Sequence, residues 1–393
     1  MEMKIDKSNW KTIKLIDVFT KKEENDKENA KDRFDRFLKV NHMDPESLHI
    51  KRWSSQERGE ELNPYFYKIF RKGQILFPTR NPHLRRTALA SFDGITGEKT
   101  LTLEPNEEYL VSKFIPFLFH SESFYAHTTG AIIGSTNPHC RWRDVANYEF
   151  LLPPKDQQTQ LAELLWAMDE VIERDISILE KLKIAYQVEI EESVPREFKE
   201  YWTLGDVIQT RKGVTYKSSD YSDEENGIPL LNLKSIERGG GFNKEGIKYY
   251  KGAFKEDHFA QNEDLIVACT DITREGRVVG YPLHPSVYQN KKMLFTMDLI
   301  AMQISDKNLL RNYLYYVLKA GWVHWFLFAF SPGTTVLHLD LKGMKKLKIP
   351  KYNISIQKEI VNKLRQFENS IFELESKISS SKALQKSLIN QVF

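Results

Sequence analysis

The chain has 393 residues, 41% apolar and 28% charged, with a formal net charge of +3; this is room for two or three domains with ample core, and it is neither a disordered nor a strongly polyionic composition. The opening MEMKIDKSNW has no apolar run, so no export signal is expected, and the most apolar stretch, GWVHWFLFAF at 321–330, is about half a membrane span and contains His324. Cys140 and Cys269 lie far apart with no CxxC pair, which excludes a zinc ribbon or disulfide framework and fits a reducing cytoplasm with no membrane partner.

Along the chain, the first region opens with WKTIKLIDVF; after it, RKGQILF, TALASFDG and KTLTL are short apolar runs bounded by turns that predict strands. Between them lies FPTRNPHLRRT, a polar and basic segment containing Arg80, Asn81, Arg85 and Arg86. Two apparent motifs here do not carry chemistry. NPYF at 63–66 is one proline short of an amino-methyltransferase signature and reads as a turn. GITGEKT at 94–100 has only two residues between its glycines, not the spacing of a phosphate loop, and reads as a turn between strands.

At residue 151 comes LLPPKDQQTQLAELL, which opens a long helical pattern. The second region then starts with WTLGDVI and predicts strands at IPLLNL, DLIVAC, RVVGYP and LFTMDLIAM, with RNYLYYVLKAGWVHWFLF as helix. Its polar segments are TRKGVTYK, TDITREGR and QNKK. Residues 347–364, LKIPKYNISIQKEIVNKL, then repeat the earlier phrase and open a second long helix.

Superposing Gln158 on Gln357 gives an offset of 199 residues and aligns Leu161 with Ile360, Leu165 with Leu364, Asp169 with Glu368, Ile172 with Ile371 and Leu179 with Ile378. Fainter echoes precede each helix: TTGAIIGSTNPHCRWRDVANYEFLLP parallels SPGTTVLHLDLKGMKKLKIP. A period this long is a domain duplication rather than a solenoid. It divides the chain into a globule at 1–153, a helix at 154–197, a second globule at 198–350 and a second helix at 351–393. Apolar residues at steps of three and four predict a coiled-coil seam of Leu161, Leu165, Met168, Ile172 and Leu179 with Ile360, Leu364, Phe367, Ile371 and Ile378. Each helix of some 40 residues reaches roughly 60 Å. The first helix has 11 acidic and 5 basic residues, the second 4 acidic and 7 basic. Opposite signs favour pairing of the two helices with each other over self-pairing.

No HExxH, GxSxG, Cys/His cluster or nuclease carboxylate core is present, GGG at 239–241 precedes no phosphate-binding helix, and the ten histidines are scattered. The chain therefore reads as having no catalytic or metal-binding residues of its own. The clustered cations at strand ends suit nucleic acid, because Arg and Lys neutralise phosphates and Arg, Asn and Gln read base edges. The candidates for DNA contact, chosen on charge and loop position, are Arg80, Asn81, Arg85 and Arg86 in the first globule. In the second they are Lys212, Thr215, Lys217, Arg274 and Arg277, with Thr334 and Thr335.

Two globules, each followed by a proline, a Gln-containing linker and a long helix, resemble the specificity (S) subunit of type I restriction–modification systems over the whole chain. FLLPPKDQQTQLAELLWAMDEVI and LKIPKYNISIQKEIVNKLRQF are the most specific segments. The second copy lacks the double proline. The resemblance implies an α+β fold of two similar target recognition domains of mixed α/β structure, separated by two long helices in an antiparallel coiled coil with pseudo-twofold symmetry. It implies that each domain reads half of a split double-stranded DNA sequence while the helices set the gap. It also implies two modification (adenine-N6 methyltransferase) subunits and two restriction (motor–nuclease) subunits as partners, with S-adenosylmethionine, ATP and Mg²⁺ belonging to those partners and no cofactor in this chain. A specificity chain of a type IIB system, a stand-alone DNA-binding regulator and an enzyme with an unrecognised site are the competing readings.

Overall fold

The computed structural model describes residues 5–136 and 138–393; Met1 to Lys4, part of the opening stretch read above for an export signal, and Asn137 lie outside the described residues. The chain forms two compact units, 1–177 with 376–393 and 178–375. These borders differ from the linear division at 153, 197 and 350, because each globule packs on one half of each long helix.

In the first unit, strand Lys11–Lys14 pairs antiparallel with Glu149–Leu152 and so closes the globule on itself. One sheet runs in the order Phe19–Lys21, Thr100–Pro105, Ile75–Pro78, Ala88–Leu89; the other runs Glu24–Asn25, Phe66–Phe70, Gly94–Gly97, Arg36–Leu38, Ser54–Ser55. Alternating apolar residues put Phe77, Leu101 and Leu103 into a core with Phe114, Phe117, Phe119 and Phe124. Ala162 and Leu165 of the central helix enter the same core, as do Leu388, Ile389 and Val392 of the C-terminal helix. Full burial of each large apolar side chain contributes about 1.5–3 kcal/mol, so the helix ends are part of the globule's core rather than struts laid on its surface.

The second unit repeats this plan. Tyr201–Thr203 pairs with Lys348–Pro350, and a sheet in the order Ile208–Lys212, Leu299–Ile304, Asp264–Ala268 lies over helices Arg311–Lys319 and Gly321–Ala329. The sequence pattern over 311–328 reads as helical without marking a break. Ala320 instead takes extended angles, φ −65° and ψ 135°, and separates the two. RVVGYP, expected as a strand, turns through Val278 to Gly280 and only its end pairs, with Pro282 bridging Val267 of the strand Asp264–Ala268. Gly280 sits at φ +82°, which costs only glycine little, and the amides of Val278 and Val279 bond the Asp271 carboxylate instead of a neighbouring strand.

The central helix runs Lys155–Ser193 and the C-terminal helix Ile354–Val392. Each starts at the same point of the repeat. Pro154 precedes the first and needs no amide partner there; at the corresponding position Asn353 caps the second, its side chain accepting from the Ile356 amide at 3.0 Å. The helices pack antiparallel. In the first unit the Gln385 amide reaches the Leu165 carbonyl at 3.3 Å and Lys377 meets Asp175 at 2.9 Å. In the second, Lys363 meets Glu189 at 2.7 Å and Lys183 meets Glu375 at 2.7 Å. All ten seam positions are buried or half-buried. Leu161, Leu165 and Met168 pack against the first globule's core and Ile360 and Leu364 within the second's, so part of the apolar stripe meets a globule rather than the other helix.

Candidate nucleic-acid interface

The repeated glutamine anchors each globule to its helix. Gln158 and Gln357 are 1% and 0% exposed. The Gln158 carbonyl accepts from the Val111 amide at 2.8 Å, and its NH₂ donates to the carbonyls of Tyr109 and Pro153 at 3.1 and 2.9 Å. The Gln357 carbonyl accepts from the Leu310 amide at 2.8 Å, and its NH₂ donates to Asn308 and Tyr352 at 2.7 and 2.8 Å. Only a carboxamide supplies an acceptor and two donors in this shape. That is why the sequence writes Gln twice.

The backbone beyond the central strands is also equivalent. Cys140 N–H donates to the Thr79 carbonyl and Thr79 N–H to the Lys99 carbonyl; Leu339 N–H donates to Cys269 and Cys269 N–H to Asp298, all at 2.8–3.0 Å. Thr79, Lys99 and Cys140 thus correspond to Cys269, Asp298 and Leu339, and Arg80 corresponds to Thr270. The side chains at these equivalent points differ, and this is where most of the predicted residues gather.

In the second unit three loops meet. The Asp298 carboxylate accepts from Tyr216 Oη at 3.0 Å and Thr270 Oγ1 at 3.3 Å, which joins the 213–217 loop to strand Thr270–Asp271. That strand pairs with Leu337–His338 and so brings in the 331–336 loop. Asp271, fully buried, accepts from Thr273 N and Oγ1, Val278 N and Val279 N at 2.6–3.1 Å, and these bonds shape the loop that presents Arg274 and Arg277. Lys212, Thr215, Lys217, Arg274, Arg277, Thr334 and Thr335 are all exposed around this junction. The Lys217 amide is taken by Asp220, and Arg277 pairs with Glu275 at 3.5 Å with both side chains more than half exposed, a weak tie in water. Arg211, in the same basic segment, is turned inward onto Asp264.

The first unit separates its four predicted residues. Arg80 is exposed and enters none of the ion pairs among the described residues that hold Arg33, Arg71 and Arg85. Asn81 adopts φ +51° and its amide bonds the Pro138 carbonyl. Arg85 is committed elsewhere. It pairs with Glu46 at 2.8 Å and with both oxygens of Glu122, and Lys386 of the C-terminal helix meets the same two carboxylates at 2.9 and 2.8 Å. Arg85 and Lys386 hold the Glu122 carboxyl down at about 2. Arg86 donates to the Met43 carbonyl at 2.7 Å. These two guanidiniums are thus tied into the domain, and only Arg80 of the three arginines is offered to a ligand.

Sequence reasoning missed several residues beside Arg80. A groove of about 400 Å³ is lined by Arg80, Lys99, Asn63, Tyr65 and Thr96, and Tyr65 is 74% exposed. A second, of about 510 Å³, carries Lys21, Lys27, Lys99 and Arg141. Asn63 belongs to the NPYF stretch, which is a turn as expected, with the Asn63 side chain accepting from the Tyr65 amide at 2.9 Å. The usable signal for Lys99 was its place opposite Asp298 in the repeat. Among the described residues, no group of three or more His, Cys, Asp or Glu is arranged to hold a metal ion, and no helix is long and apolar enough to cross a membrane.

Residues 7–183 and 195–381 each match the family model described as type I restriction modification DNA specificity domain. Among curated relatives, the chain is 22% identical over 215 residues to the type I restriction enzyme MjaIX specificity subunit of Methanocaldococcus jannaschii, covering 49% of each chain. It is 22% identical over 283 residues to the MjaVIII specificity subunit of the same organism, covering 65% of this chain and 64% of that one. The alignments thus span about half to two thirds of these relatives' length. Among solved structures, the S subunit of a type I restriction–modification system from M. genitalium superposes with a TM-score of 0.57 at 16% identity, covering 100% of this chain and 98% of that one. A chain from a study of assembly and conformational transition of the type I R-M system superposes with a TM-score of 0.60 at 19% identity over 98% and 97%. At these identities the superpositions establish a shared fold.

Proposed function

Because the chain belongs to the type I restriction–modification DNA specificity family and carries two of its domains, we propose that it is the sequence-reading subunit of such a system. In this reading each globule contacts one half of a split double-stranded DNA target. Adenine-N6 methylation and ATP-dependent cleavage are done by partner subunits, two for modification and two for restriction, which bring S-adenosylmethionine, ATP and Mg²⁺. The observation that carries the reading is the duplication itself. Two globules built on one plan, each locked to the helices through an identically bonded buried glutamine, present different side chains at equivalent strand ends. Repeating the frame while varying the strand-end chemistry is what reading two unlike half-sites requires. A chain with this role lends specificity to an enzyme that extrudes the target base.

The test is co-expression with a type I modification (methyltransferase) subunit from the same genome, followed by single-molecule mapping of modified adenines. Methylation confined to two short half-sites around a fixed spacer is expected. A continuous motif, or none, overturns the reading, and turnover by the purified chain alone overturns its non-catalytic assignment.

A further inference from the structure

Resting on that reading, we propose that Arg80 specifies a guanine in the half-site contacted by the first unit. Three observations single it out from the other cations. Its backbone is fixed, since residues 79 and 80 are held by antiparallel pairing to 139 and 140 and by the Thr79–Lys99 bond, so the guanidinium springs from a rigid strand end rather than a loop tip. Its side chain is exposed and forms no ion pair or hydrogen bond among the described residues, whereas Arg85 and Arg86 are committed inside the domain. It also borders the groove of about 400 Å³, in which Lys99 is paired with Glu98 at 3.4 Å while Tyr65 adds an exposed ring and Asn63 an amide fixed by its own turn, so Arg80 is the groove's unpaired cation among the described residues.

Phosphate contact needs only charge and tolerates loose placement. Base readout needs a donor pair held in a defined direction, and guanine O6 and N7 are the acceptor pair that a guanidinium matches. A positively charged strand end therefore selects an acceptor-rich base edge. The second unit makes the contrast. At the equivalent points Asp298 accepts from Thr270 and Tyr216, so neither position carries a cation, and that unit's cations, Lys212, Lys217, Arg274 and Arg277, stand on the loops around them. The Arg80-dependent guanine accordingly belongs to one half-site only.

The experiment uses the chain complexed with its methyltransferase and compares wild type with Arg80→Ala and Arg80→Lys by mapping methylated adenines. Arg80→Ala is expected to make one guanine of one half-site tolerant of other bases, leaving the other half-site and the spacer unchanged, with Arg80→Lys intermediate because it loses the two-pronged contact. In a binding assay, 7-deazaguanine at that position, which lacks the N7 acceptor, should weaken wild type roughly 10-fold and leave Arg80→Ala unaffected. Unchanged motif sequence with methylation lowered uniformly would identify Arg80 as a phosphate contact and overturn the proposal, as would half-sites without guanine. If wild type marks no split motif, it is the proposed function that falls.

Discussion

At the same step of its long helix each unit sets one carboxylate against its globule, Asp169 in the first and Glu368 in the second, and the two are satisfied by different chemistry. Glu368 accepts from Tyr186 at 2.6 Å, Tyr315 at 3.1 Å, Tyr316 at 2.8 Å and Lys319 at 3.1 Å. Burial by itself would raise its carboxyl, but Lys319 and the hydroxyls of Tyr186 and Tyr316 hold it below the usual carboxylate range. Asp169 meets one cation, the half-buried His49 at 2.6 Å, whose pKa this hydrogen bond raises. The frame fixes where the acidic residue goes. Each globule then supplies its own counter-charge, a lysine whose pKa burial lowers in one unit and a histidine whose pKa the pairing raises in the other. The same division holds at the strand ends, where Arg80 and Lys99 stand opposite Thr270 and Asp298.

The comparison is broken most severely by removing the lysine counter-charge. Lys319→Met leaves the half-buried Glu368 with hydroxyl partners alone and should destabilise the second unit by about 3 kcal/mol, the low end for a buried pair. Hydrogen exchange resolved by unit is the measurement, and protection in the first unit should be unchanged. Next come the anchors. Gln158→Ala or Gln357→Ala removes three hydrogen bonds and leaves one amide and two carbonyls in each unit unsatisfied, a loss of about 2–4 kcal/mol. Because the two anchors are bonded identically, urea unfolding followed by a probe in each unit should show equal losses in the mutated unit. Markedly unequal losses would break the equivalence.

The smallest effect is the titration of His49. Its folded pKa lies above an unfolded value of about 6.5, so the pair contributes fully below that value and its contribution fades as pH rises through the raised folded value. The imidazole is partly solvated, 35% exposed, and screening limits the effect to about 1 kcal/mol or less. The first unit should therefore be slightly less stable at pH 9 than at pH 6. His49→Gln should flatten the component of that slope that wild type has and the variant lacks, in urea titrations at the two pH values. An identical slope in wild type and variant would exclude the pair as its source.

The seam was legible because helical spacing is a local property. Leu165, Ile172, Leu364 and Ile378 recur at steps of three and four, and all are buried. The glutamine anchors were visible as a repeated letter, although their three partners each were not. Arg85 and Arg86 looked like Arg80 in the sequence, since nothing local distinguishes three arginines in one polar segment. What separates them is remote in the chain. Glu46 and Glu122 lie 39 and 37 residues from Arg85, and the Met43 carbonyl lies 43 from Arg86. Lys99 and Tyr65 were passed over for the same reason, each joining Arg80 only through the folding of the sheet.

The sequence by itself determined the duplication, the two long helices and their opposite charge, because periodicity and composition act over a few neighbouring residues. The tertiary structure alone decided that the compact units cut across both helices, that Ala320 ends one helix and Gly280 turns a would-be strand, and which cations are bound inward. Those outcomes rest on long-range packing and on competition among many carboxylates and carbonyls for few cations, which no local pattern encodes.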